Sequence, residues 1–161
     1  MKIDLITAKK LIDVLKEKKL IISTAESCTG GGIGYALTSV SGSSAVYMGG
    51  IVSYANDVKE RLLGVSSETL KSHGAVSEET AREMAHGART QLDTDLSISV
   101  TGIAGPNSDD TNKPVGLVYL CADNGREPVV KEEHFSGDRD EIRTQTINSA
   151  LQLLLQMVSE M

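Results

Sequence analysis

The chain has no tryptophan, and Phe and Tyr together make up only 3% of it. Its core must therefore rely on Leu, Ile, Val and Ala, and it has no row of aromatic rings on which bases could stack. Positive charge is scarce too. The 16 Lys and Arg face 22 Asp and Glu, and the net charge of −6 is the opposite of the basic face a nucleic-acid binder presents. The two cysteines, Cys28 and Cys121, form no C-x-x-C and no pairing pattern, which suits a reducing cytoplasm rather than an exported disulfide scaffold. No apolar run approaches the roughly 20 residues of a membrane span, and Met1–Leu5 lacks the apolar centre of a signal peptide. With 161 residues, 40% of them hydrophobic, the chain is expected to form one compact domain over 1–161, in a soluble, bacterial-style cytoplasmic protein.

The richest stretch is Ile21-Ile22-Ser23-Thr24-Ala25-Glu26-Ser27-Cys28-Thr29-Gly30-Gly31-Gly32. An apolar, β-prone run from Leu20 ends in hydroxyls, a thiol and three glycines, and Ile33, Ala36, Leu37 and Val40 then repeat at helical spacing. This reads as strand, tight loop and helix start. It puts Ser27 where unpaired N–H groups converge on a nucleophile or an anion. A cap and a turn would look similar, and named motifs do not decide. Gly30, Gly32 and Tyr35 miss G-x-G-x-x-G, no Lys-Ser/Thr follows the glycines, and Ser27 lacks the glycines of G-x-S-x-G.

Along the chain, Thr7 is the expected N-cap of a first helix carrying Leu11, Ile12, Val14 and Leu15. Val46–Tyr54 reads as a strand whose inner glycines suggest a bulge or a close backbone neighbour. A short helix starting at Asn56 or Asp57 closes at Gly64, further turns follow over Ser66–Lys71, and Ser77 caps a helix with Ala81, Met84, Ala85, Ala88 and Leu92 on its apolar stripe. Asp95–Thr101 alternates strictly, as a strand does. Val115–Ala122 and Val129–Phe135, joined through Asn124-Gly125, read as an antiparallel hairpin, and Asp138 with Glu141 forms the capping box of a long closing helix. The expected fold is α/β: a single three-layer α/β/α domain with a mixed sheet that includes a C-terminal antiparallel hairpin.

Ligands of such sheets collect at strand carboxyl ends, here Ser27–Gly31, Tyr54–Lys59 and Thr101–Gly105. A serine there needs a base. His73, His86 and His134 all fall in turns, helices or hairpin strands away from those ends, and they have no metal-ligand spacing. Lys59 survives as a base candidate because it opens a helix directly after the strand ending at Tyr54, although pattern alone also fits a solvated helix lysine beside Glu60 and Arg61.

Several motifs then follow one another in order: Thr24-Ala25-Glu26-Ser27-Cys28-Thr29-Gly30-Gly31, Gly42-Ser43-Ser44, Val52-Ser53-Tyr54-Ala55-Asn56-Asp57-Val58-Lys59, Gly74-Ala75-Val76-Ser77, Thr101-Gly102-Ile103-Ala104-Gly105-Pro106, Lys113-Pro114-Val115-Gly116 and Phe135-Ser136-Gly137-Asp138-Arg139. From about Leu20 to its end the chain resembles the CinA C-terminal domain family, whose characterised enzymes are nicotinamide-nucleotide amidases. The resemblance implies a serine–lysine hydrolase that converts nicotinamide mononucleotide and water to nicotinate mononucleotide and ammonia without metal or cofactor. Ser27 matches the nucleophile and Lys59 the general base, and Tyr54 in the same motif would assist or orient them. Backbone donors around Cys28, Thr29, Gly30 and Gly31 would hold the oxyanion. Ser43, Ser44, Asn56, Thr101, Gly102, Gly105 and Arg139 or Arg143 would hold the ribose and phosphate.

The resemblance also implies a free-standing form without a separate N-terminal domain, acting on a small-molecule nucleotide as a homodimer or higher homo-oligomer, while charge and composition argue against a nucleic-acid or membrane partner. One departure stands out. Where active relatives continue Gly-Pro with a glycine-rich run, this chain has Asn107-Ser108-Asp109-Asp110, whose carboxylates would repel a phosphate unless they point outward. Two other readings stay open: a nucleotide-binding sensor or assembly partner without turnover, and Cys28 as nucleophile.

Overall fold

The computed structural model describes residues 2–161. Its elements run α1 Leu5–Lys18, β1 Ile22–Glu26, α2 Gly32–Thr38, a 3-10 turn Ser43–Ala45, β2 Tyr47–Val52, α3 Asn56–Leu63, α4 Ser67–His73, α5 Glu78–Gln91, β3 Leu96–Gly102, β4 Leu117–Asp123, β5 Val129–His134 and α6 Arg139–Ser159. The sheet order is β2-β1-β3-β4-β5. β1 pairs in parallel with both β2 and β3, whereas β3/β4 and β4/β5 are antiparallel, so the sheet is mixed and ends in the expected hairpin.

Helices cover both faces. On one, α1 and α6 bring Leu11, Ile12, Leu15, Ile142, Leu151 and Leu154 onto Leu96, Ile98, Val100, Val118 and Leu120. On the other, Met84 and Ala88 of α5 meet Ala25, Leu63 and Val65, and Ala81 and Ala85 meet Cys121. Small residues on α5 let that helix lie close to the sheet.

The alternation that marks β3 does not separate core from solvent, because every residue from Leu96 to Thr101 is buried. Leu96, Ile98 and Val100 point towards α1 and α6. Ser97 and Ser99 point the other way, and their hydroxyls donate to the carbonyls of Ala85 and Ala81 at 2.6 Å. The serines thus hydrogen-bond a helix that would otherwise bury them unsatisfied. The α1 cap is Asp4 rather than Thr7: its carboxylate accepts from the Thr7 N–H at 3.0 Å and the Thr7 hydroxyl at 2.6 Å, placing Thr7 in the first turn. Ser77 caps α5, Gly64 closes α3 in the left-handed conformation, and Asp138 and Glu141 form the capping box of α6. In β2 the expected bulge is present, while the closest neighbour at Gly50 is a side chain rather than a backbone. The register slips by one residue at Met48, and a side chain at Gly50 would overlap the Thr24 hydroxyl.

Candidate active site

Because β1, β2 and β3 run in parallel, their carboxyl ends share one edge of the sheet, and the segments leaving them meet there. Ser27 follows the last residue of β1 and is held to β3 by its N–H, which donates to the Val100 carbonyl at 3.1 Å. The chain then turns sharply. The Gly30 N–H donates to the Ser27 carbonyl, and Gly30 and Gly31 take φ of 60° and 104°, a region that a side chain enters only under strain. The Glu26 carboxylate, 2% exposed, fixes the turn from inside by accepting from the Thr29 hydroxyl (2.5 Å) and the N–H groups of Ile33 (2.9 Å) and Gly34 (3.0 Å). It satisfies the otherwise unpaired start of α2. From outside, Arg143 of α6 donates to the carbonyls of Cys28 (3.1 Å) and Thr29 (3.2 Å).

Lys59 enters from the neighbouring strand. Leaving β2, Ser53 donates its N–H to the Glu26 carbonyl at 2.8 Å, and α3 begins three residues later with Lys59 in its first turn. The side chain is 1% exposed, the largest fully buried one among the described residues. Its Nζ lies 2.8 Å from Ser27 Oγ, 2.7 Å from the Ser53 carbonyl and 3.2 Å from the Tyr54 carbonyl. Among the described residues no carboxylate forms an ion pair with it, and burial lowers its pKa from 10.5 to about 8. When the amine is neutral, the two carbonyls take its two N–H groups and its lone pair is left facing the Ser27 hydroxyl. That is the geometry of a serine poised to lose its proton.

The pair opens into a cavity of about 250 Å³. Of the residues expected from sequence, Ser27, Cys28, Tyr54, Asn56, Lys59, Thr101, Gly102, Gly105 and Arg139 line it. Arg139 reaches it from the start of α6, donating to the Gly105 carbonyl at 2.5 Å and to the Tyr54 hydroxyl at 3.4 Å. Three of the lining residues, Cys28, Ala104 and Gly105, have backbone N–H groups that donate to no other residue among those described.

Thr29, Gly30, Gly31 and Arg143 do not reach the cavity; they shape the turn behind Ser27. Ser43 and Ser44 are not brought to it at all, because their 3-10 turn precedes β2 and lies at the amino end of the parallel strands. His73, His86 and His134 are exposed and away from it; His73 faces Glu79 and His134 faces Glu132. Cys28 contributes to the cavity wall but is 7% exposed and packed into the core. Burial pushes its thiol up to about 12, which keeps it protonated and poorly nucleophilic.

Sequence reasoning gave no role to Glu26 or to the Ser53 carbonyl, although both lie inside the quoted motifs. An acidic residue just before the loop of a short glycine-rich helix is the signal that would have marked the first.

Known proteins share this fold. The chain is 41% identical to a competence/damage inducible protein, CihA, from Agrobacterium tumefaciens, whose crystal structure matches with a TM-score of 0.93 over 98% of both chains. A competence damage-inducible protein from Klebsiella pneumoniae matches with a TM-score of 0.95 at 29% identity, again over 98% of both. Among curated sequences, a CinA-like protein of Geobacter sulfurreducens is 50% identical over 141 residues, which is 88% of this chain and 34% of that protein. One from Syntrophomonas wolfei is 50% identical over 133 residues, 83% of this chain and 32% of that protein. The chain thus spans about a third of the length of the curated relatives it matches. Residues 5–158 match the model of the CinA C-terminal domain, and the chain belongs to that family.

Proposed function

We propose that the cavity hydrolyses the carboxamide of nicotinamide mononucleotide to nicotinate mononucleotide and ammonia, with Ser27 as nucleophile and Lys59 as its base. One observation carries the reading: a fully buried amine 2.8 Å from a serine hydroxyl, with no carboxylate among the described residues ion-paired to it. Neutral Lys59 takes the Ser27 proton as Oγ attacks the amide carbon. The resulting ammonium passes that proton to the departing nitrogen, ammonia leaves, and an acyl ester remains on Ser27. Water, deprotonated by the same amine, then cleaves the ester and frees the carboxylic acid. The free N–H groups of Cys28, Ala104 and Gly105 are the donors available to the oxyanion, at roughly 3–4 kcal/mol for a well-placed donor. Arg139 supplies a guanidinium for the phosphate.

A second reading, nucleotide binding without turnover, draws on the Asn107–Asp110 loop, because Asp109 lines the cavity.

Ammonia release from nicotinamide mononucleotide by the unaltered protein, Ser27→Ala, Lys59→Ala and Cys28→Ser separates them. The expected result is turnover that falls at least a thousandfold in the first two variants and stays within about threefold in the last. A protein that binds the nucleotide and releases no ammonia favours the second reading. Full rate in Ser27→Ala overturns the mechanism.

A further inference from the structure

The cavity holds two charges besides the dyad amine. Among its lining residues Asp109 is the only carboxylate and Arg139 the only guanidinium, and the two make no ion pair with each other. They come from different segments, Arg139 from the start of α6 and Asp109 from the loop that follows Gly105-Pro106.

Asp109 is held by its own loop. Its Oδ1 accepts from the Thr111 N–H at 2.9 Å and from the Thr111 hydroxyl, while Oδ2 has no partner among the described residues. Two residues beyond Thr111, Lys113 anchors the loop by donating to the carbonyls of His73 (2.6 Å) and Val76 (2.5 Å). Asp110 does not line the cavity. A single carboxylate therefore faces a pocket that also presents a guanidinium, and a ligand carrying both a cation and an anion satisfies the two at once.

We propose that Asp109 makes this pocket selective for an N-glycosylated pyridinium, by pairing with the positive charge of the aromatic ring while Arg139 meets the phosphate. The inference rests on the amidase reading above and goes further than it. The loop residue that would repel a simple phosphate becomes the residue that distinguishes a charged ring from a neutral ring of the same shape. Asp109 is exposed, so screening keeps the effect modest, and a change of about fivefold in affinity is expected for one solvated pair.

Calorimetric binding to Ser27→Ala protein at pH 9, where Lys59 is largely neutral, tests this with two probes. One is nicotinamide mononucleotide. The other is the 5′-phosphate of benzamide riboside, a neutral isostere with the same carboxamide, sugar and phosphate. Adding Asp109→Asn should weaken the charged probe about fivefold and leave the neutral one within twofold, and Asp110→Asn should change neither. Equal loss for both probes, tighter binding of both, or the same loss in Asp110→Asn overturns the inference while the amidase reading stands. Failure of both probes to bind the Ser27→Ala protein overturns both.

Discussion

Lys59 shows what burial does to an ordinary side chain. In the sequence it lies between Val58 and Glu60 on a polar helix, and nothing local separates it from a solvated lysine. The family resemblance singles it out, and the physical reason appears when β2 is laid beside β1, which takes its ammonium out of water and aims it at Ser27. Cys28 is the reverse case. Position and neighbours make it an attractive nucleophile on paper, whereas core packing holds its thiol near 12. Iodoacetamide at pH 8 should therefore leave turnover intact and Cys28 unmodified by mass spectrometry until the protein is unfolded. Alkylation of Cys28 in the folded protein with matching loss of rate would restore it as a candidate nucleophile. Arg139 and Arg143 were interchangeable in the sequence. One helical turn apart on α6, the first faces the cavity and the second clamps the Cys28–Thr29 backbone.

The elements were readable wherever caps and periods agreed, as at Ser77, Gly64 and the Asp138–Glu141 box. They were misread where two chemically equivalent caps competed, at Asp4 and Thr7, because either side chain can accept from a helix N-terminus. The resemblance and the phosphate-binding capacity of hydroxyls point to Ser43 and Ser44 as pocket residues. One intervening helix carries them to the other end of the sheet.

The contact between α3 and α5 is a further element-scale dependence, since α3 carries Lys59. Gly87 of α5 faces the last turn of α3, where an added methyl would overlap the Leu63 carbonyl oxygen. Gly87→Ala should push the two helices apart, lowering stability by about 1–3 kcal/mol and reducing turnover through a displaced amine. Urea unfolding and an ammonia assay on one preparation would check both. Unchanged stability and rate would mean that α3 does not rely on this contact.

For the whole molecule, the buried amine links the site to folding. The folded-state pKa of Lys59, about 8, lies below the 10.5 of an unperturbed lysine, so between those values the unfolded chain holds a proton that the folded chain has released. Unfolding free energy therefore gains from this group as pH rises through that window, and below about pH 8 the full cost of the buried charge is present. Lys59→Met lacks the linkage. Its stability relative to the unaltered protein should decline by roughly 3 kcal/mol from pH 8 to 10.5, read from urea midpoints at each pH. A constant difference would mean that the amine is not desolvated. The α/β class, the mixed sheet and the terminal hairpin were all legible from periodicity and turn residues. The meeting of Ser27 with Lys59 was implied by the family resemblance and not by periodicity, because it depends on which strands become neighbours.

The central claim is that a neutral, buried Lys59 activates Ser27, and the pH dependence of kcat/KM for ammonia release from nicotinamide mononucleotide tests it most directly. The account predicts a tenfold rise per pH unit that levels off near pH 8, where the amine has lost its proton. A rate that is flat from pH 6 to 10, or one that keeps climbing to 10.5, would contradict it.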